Sequence, residues 1–185
     1  MKKIIALVLA AMLLFSCAAL AETAEKTTVV FDDSLSLAVP PMEGHTMEVI
    51  NADGLVCFRF VPDDPETGLL FSTVIFPTDD EDYAKVTSLN DLTEEQMQQY
   101  INSCIEAEMN DPTWTIAETG KGSKLVLIKE QGTEHDYVYL YSVYNGYQIC
   151  TYVDHIDGAD VTDADIEALL AFHTELDFIE TTAAE

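Results

Sequence analysis

The sequence predicts an α+β domain in which a mainly antiparallel β-sheet is covered by two main helices. Three observations carry this. Asp53-Gly54 and Asn145-Gly146 each join two runs of alternating apolar residues, the pattern of a two-residue β-hairpin turn. The apolar period changes from 2 to 3.6 after Thr93 and again after Thr162. A chain of 185 residues is long enough for one domain with its own core.

The elements follow in order. Residues 1–21 place Lys2 and Lys3 ahead of an apolar run that ends in Ala19-Leu20-Ala21, which reads as a secretory signal peptide cut before Glu22. The run is shorter than the roughly 20 residues that a membrane-spanning helix needs. A lipoprotein signal around Leu14-Phe15-Ser16-Cys17 is the alternative, with Cys17 as the lipid-bearing residue, although the bulky Phe15 fits that pattern poorly. The expected location is outside the cytoplasm on either reading. Residues 22–27 then form a flexible lead-in, 28–180 a single domain, and 181–185 a polar tail.

TTVVF and LSLAV read as strands separated by Asp32-Asp33-Ser34. The Asp53-Gly54 turn pairs Ala52 with Leu55, Val49 with Phe58 and Glu48 with Arg59. One face of that hairpin then collects Met47, Val49, Val56, Phe58 and Phe60, and the other carries an opposite-charge pair. LLFSTVIF is a further strand. Thr93-Glu94-Glu95-Gln96 is a capping box with Leu92 and Met97 as its hydrophobic staple, opening a helix over 93–110. The strands TWTIAE and KLVLIKE follow, joined around Gly120 to Gly122. A second helix spans 162–176, with Ile166, Leu169, Leu170 and His173 on one stripe, and LDFIE closes the domain as a short strand.

Charge excludes whole classes of partner. The chain has 8 basic and 34 acidic residues, and the leader takes two of the basic ones. Nucleic acid and anionic membrane surfaces need a basic face that six scattered cations cannot form. Cations, basic peptides and neutral glycans remain compatible with such a field.

The stretch HDYVYLYSVYNGYQICTYV holds six tyrosines. The Asn145-Gly146 turn pairs Tyr144 with Tyr147, Leu140 with Thr151 and Tyr139 with Tyr152. One face then carries Val138, Leu140, Ser142, Tyr144, Tyr147, Ile149, Thr151 and Val153, which suits a core. The other carries Tyr137, Tyr139, Tyr141, Val143, Gln148, Cys150, Tyr152 and Asp154. Tyr137, Tyr139, Tyr141, Tyr152 and Gln148 are therefore the candidate ligand-binding residues. Rigid rings tipped with hydroxyls offer a sugar ring or an extended peptide contact area at low entropic cost. The competing expectation is that a helix covers these rings and they are packing.

Other chemistry finds less support. Asp79-Asp80-Glu81-Asp82 and the series Asp154, Asp157, Asp160, Asp163, Asp165 suggest calcium but lack the order of a calcium loop. Asp163 and Asp165 are explained by the positive end of the helix beside them. No G-x-S-x-G, H-E-x-x-H or phosphate loop occurs. Cys104 with His135 or His155 would make a thiol–base pair, but Cys104 lies on an apolar stripe, where an inert thiol is the default. Cys57, Cys104 and Cys150 do not form a zinc or redox motif. A Cys57–Cys150 disulfide is conceivable from their hairpin faces alone. No enzyme, cofactor or metal is expected.

Leu35-Ser36-Leu37-Ala38-Val39-Pro40, with Ala168-Leu169-Leu170-Ala171-Phe172 and Leu176-Asp177-Phe178 near the end, resembles the PsbP-like superfamily. The resemblance implies an α/β/α sandwich with an antiparallel sheet between helical layers, in an exported, non-catalytic accessory or binding protein. It carries no functional residue across.

Overall fold

A computed structural model describes residues 25–180, apart from 34, 53–54, 65, 67, 79–82, 107–111 and 133–135. The expected leader with Cys17, the Asp53-Gly54 turn residues, the acidic run 79–82, His135 and the polar tail lie outside the described residues, as does the expected end of the first helix near Asn110.

The strands are β1 (Thr27–Val30), β2 (Leu35–Val39), β3 (His45–Ala52), β4 (Leu55–Pro62), β5 (Leu69–Pro77), β6 (Thr113–Glu118), β7 (Lys124–Gln131), β8 (Asp136–Tyr144), β9 (Tyr147–His155) and β10 (Asp177–Glu180). The helices are α1 (Glu94–Glu106) and α2 (Asp163–Glu175), with a short 3-10 turn at Leu89–Asp91. Seven strands form one antiparallel sheet in the order β3-β4-β5-β9-β8-β7-β6, and β1-β2-β10 form a second. β1 starts at Thr27, and Lys26, within the expected lead-in, already reaches Asp177 of β10.

This corrects the expected helix-covered sheet and the α/β/α sandwich: the protein is mostly β, with two antiparallel sheets and only two helices among the described residues. Simple dimensions give the reason. A 13-residue helix is about 20 Å long, whereas seven strands spaced about 4.8 Å apart span roughly 29 Å. One such helix cannot close a face by itself. On one face the second sheet supplies the missing apolar surface: Leu35, Leu37 and Val39 of β2 pack with Phe58, Phe60, Leu140, Ile149 and the α2 residues Leu169 and Phe172. Tyr144 stacks on Phe178 of β10, with centroids 4.6 Å apart, and Tyr147 meets Phe31 edge-on. The opposite face is covered by α1 through Met97, Tyr100, Ile101 and Cys104.

The local signals hold. Ala52 pairs with Leu55, Val49 with Phe58 and Glu48 with Arg59, and Arg59 Nε donates to Glu48 Oε2 at 2.7 Å. Tyr144 pairs with Tyr147, Leu140 with Thr151 and Tyr139 with Tyr152. Asn145 and Gly146 take φ values of 47° and 81°, as a turn with two left-handed residues requires. At Gly146 a Cβ would also stand 2.5 Å from the Ala84 carbonyl oxygen, so glycine is needed there twice over. Thr93 and Gln96 close their capping box with bonds in both directions. Thr162 does the same with Asp165 at the start of α2.

Candidate functional site

Register assigns the tyrosines to rows that cross the sheet. Residues directly opposite in an antiparallel ladder share a face, so one row runs Trp114, Ile128, Tyr139, Tyr152, Ser72, Arg59, Glu48 from β6 to β3. The adjacent row runs Ile116, Val126, Tyr141, Cys150, Val74, Cys57. α1 decides which row is open. It seals the middle of the second: Val126, Tyr141 and Cys150 are buried with Tyr100 and Cys104, and Tyr141 is only 7% exposed. The first row is open only in part, since Ile128 and Ser72 within it are buried. Tyr139 and Tyr152 are half-buried at the border of the α1 core, and Trp114 is 42% exposed.

The candidate residues therefore separate. Tyr137 and Tyr139 stack with centroids 6.4 Å apart and planes 19° from parallel, and Tyr152 lies 6.0 Å from Tyr139 at a tilt. Those three form one half-exposed aromatic group. Tyr141 touches it, 6.3 Å from Tyr139, but faces α1. Gln148 lies apart, beside Phe76, Cys104 and Cys150 at the edge of α1. Trp114, which sequence reasoning left as an ordinary strand residue, joins the aromatic row two strands away from Tyr139. With strands about 4.8 Å apart, Trp114 to Tyr152 covers about 14 Å, the length of a short extended ligand. Tyr100, whose hydroxyl donates to the Ser142 carbonyl at 3.4 Å, has its pKa raised well above the usual phenol value. Burial is the main cause, followed by the neighbouring thiol of Cys104.

The other face holds a polar network in the core. His173 of α2 lies between the Ser142 hydroxyl, 3.2 Å from Nε2, and the Thr151 hydroxyl, 3.1 Å from Nδ1. Thr151 in turn meets Thr73 at 3.3 Å. His173 and Ser142 reach the floor of a cleft of about 230 Å3 whose mouth carries Lys121, Lys124 and Asp177. A serine hydroxyl against an imidazole is the geometry of a nucleophile and its base. Burial, however, pushes the His173 pKa down to about 4, so the ring is neutral and too weakly basic to activate a hydroxyl near neutrality. Asp177 at the mouth is held below the usual carboxylate range by hydrogen bonds from Lys26 and then Lys121. The arrangement satisfies buried polar groups, and it offers no activated nucleophile.

The remaining constellations are dispersed. Cys57 and Cys150 occupy β4 and β9, on either side of Val74 in β5. Two strand spacings place them roughly 10 Å apart, beyond the 7 Å or so that a disulfide tolerates between Cα atoms. His155 Nε2 bonds Asp165 at 3.0 Å and so belongs to the start of α2, not to Cys104. Burial would raise the Asp165 pKa, but hydrogen bonds from Thr162 and His155 outweigh it and hold the carboxyl low. Asp160 accepts from the Asp136 amide, and Asp163 pairs with Lys129. Among the described residues no group of three His, Cys, Asp or Glu could hold a metal ion. No described helix is long and apolar enough to cross a membrane.

Thiol reactivity checks the position of α1. Cys57 is half-buried, while Cys104 of α1 and Cys150 of the sheet beneath it are buried. Burial also pushes the Cys57 thiol up, with Arg59 opposing. With a chromogenic disulfide reagent at mildly alkaline pH, and with protein that begins at Glu22 and so lacks Cys17, Cys57 is expected to react slowly but first. The other two should respond only after denaturant is added. Equal early reaction of Cys150 would mean that α1 does not seal its row.

No family model matches this chain, and no curated protein does either.

Proposed function

We propose that the protein is a non-catalytic binding or accessory domain that works outside the cytoplasm, and that its ligand lies along the aromatic row of Trp114, Tyr139 and Tyr152, with Tyr137 beside it. The observation that carries this reading is the division of one sheet face by α1. Part of an aromatic surface is sealed as core, and Trp114, Tyr139 and Tyr152 are left partly exposed, with the buried Ile128 between Trp114 and Tyr139. Exposed aromatic patches of this kind are usually interaction sites. A formal charge of −26 turns away phosphate-bearing ligands, so a neutral glycan or a peptide without excess acid fits best. The leader-like residues 1–21 support export.

Mild nitration of the folded protein, with modified residues located by mass spectrometry, tests the surface. Tyr137, Tyr139 and Tyr152 are expected to react, while Tyr100 and Tyr141 stay protected. Tyr139→Ala is then expected to weaken any ligand found by glycan or peptide screening at least tenfold, about 1.4 kcal/mol, with little change in Tm. Protection of all five rings, or unfolding of Tyr139→Ala, would make the row core and end this reading.

A further inference from the structure

The seven-stranded sheet ends at β6, which pairs on one side only, with β7. Side chains on both of its faces lie at the surface, and Trp114 and Ile116 are 42% and 44% exposed. Among the described residues, no backbone group of 113–118 bonds outside the β7 ladder. An antiparallel edge strand turns alternate N–H and C=O groups outward. β6 therefore presents a ready row of donors and acceptors.

Soluble proteins block such edges with short strands, interior charges, proline or a bulge. The other described edges are blocked in these ways. β1 and β10 are four residues each, and β3 carries Glu48 at its centre, ion-paired to Arg59. β6 has six residues, TWTIAE, paired with β7 without a break. Its single charge, Glu118, stands at the far end, and Pro112 precedes the strand without entering it. Its two exposed apolar side chains point to the same face as the tyrosines.

We propose that β6 takes up an extended peptide segment of another protein as an eighth strand, with alternate side chains of that segment resting on Trp114 and Ile116. Main-chain bonds would supply affinity and those two side chains would supply selectivity, as in other strand-addition complexes. The segment should carry lysine or arginine and no excess of acid, because it approaches a chain with a formal charge of −26. The same charge opposes a second copy at this edge. The inference goes beyond the ligand proposed for the aromatic row, because an added strand runs along β6 and meets that row, which crosses the strands, only at Trp114.

Trp114 is the only tryptophan in the chain, so its emission reports directly on this edge. A displayed library of ten-residue peptides is panned against the protein, and the best peptide is resynthesised with alternate backbone nitrogens methylated. Selected peptides are expected to be rich in β-branched and basic residues and to shift the Trp114 emission. N-methylation should weaken them at least tenfold in one of its two phases. Ile116→Lys, an exposed change that leaves the melting curve in place, should do the same. Tyr152→Ala, three strands from the edge, should have a smaller effect. Equal binding of both methylated peptides, or no enrichment at all, would overturn strand addition. So would concentration-dependent self-association in sedimentation that occupies the edge. A neutral oligosaccharide that shifts Trp114 while every peptide fails would also overturn it, and would leave the binding-domain reading standing.

Discussion

Tyr141→Ala is expected to destabilise the protein by about 3–5 kcal/mol, the range for removing a large aromatic ring from a core, whereas Tyr139→Ala should cost roughly 1 kcal/mol. The two residues are neighbours in β8 on the same face, and their rings are 6.3 Å apart. They differ in what lies above them. Tyr141 sits between Val126 and Cys150 in the row that α1 seals, and it packs in one cluster with Met97, Tyr100, Ile101 and Cys104. A helix of 13 residues is marginal by itself in water, so α1 depends on this contact as much as the sheet does. Removing the ring opens a cavity at the helix–sheet interface. Urea unfolding followed by circular dichroism measures both variants. A Tyr141→Ala cost below about 1 kcal/mol would mean that α1 does not seal the row. A Tyr139→Ala cost as large as that of Tyr141 would mean that the proposed platform is packing.

What could be read from the sequence divides along the same line. Each two-residue turn sets the register of its hairpin, so the pairing of Tyr139 with Tyr152 and the membership of both faces followed from Asn145-Gly146 alone. Thr93 with Gln96, and Val161 with Ile166 around Thr162, marked the helix starts because caps and staples are local. Period 2 tells which residues share a face, but not what covers that face, so Tyr141 and Tyr139 were indistinguishable until α1 was in place. Trp114 escaped for a related reason. β6 and β7 are joined through 119–123, and a five-residue connection does not fix register as a two-residue turn does. The strands β1, β2 and β10 each carried a local signal, but their association into a second sheet left none. Leu37 pairs with Phe178 across most of the chain, and only tertiary packing selects that partner. The expected helical layer failed there because β-strands, beside α2, supplied much of the apolar surface.

His173 provides the other large effect, and its sign follows from burial. Its pKa falls from 6.5 to about 4 in the folded state, so between those values the unfolded chain binds a proton that the native state refuses. Stability therefore rises with pH across that window: the contribution is complete above about pH 6.5 and is lost as the pH falls through about 4. A shift of this size corresponds to about 3 kcal/mol, as an order of magnitude. Asp177 and Asp165, whose pKa values are lowered, act in the same direction but mostly below pH 4. An opposing effect shares the window, because protonating some of the 34 acidic residues relieves their mutual repulsion. Comparison with a variant removes that common background. His173→Gln keeps a polar group between Ser142 and Thr151 but cannot ionise, so it should be less stable than the native protein at pH 7 and should close most of that gap by pH 4.5. Urea unfolding of both proteins at several pH values between 7 and 4.5 measures the gap directly. A gap that does not change with pH would mean that His173 is protonated alike in the folded and unfolded chains, and that the Ser142–His173–Thr151 network is open to water.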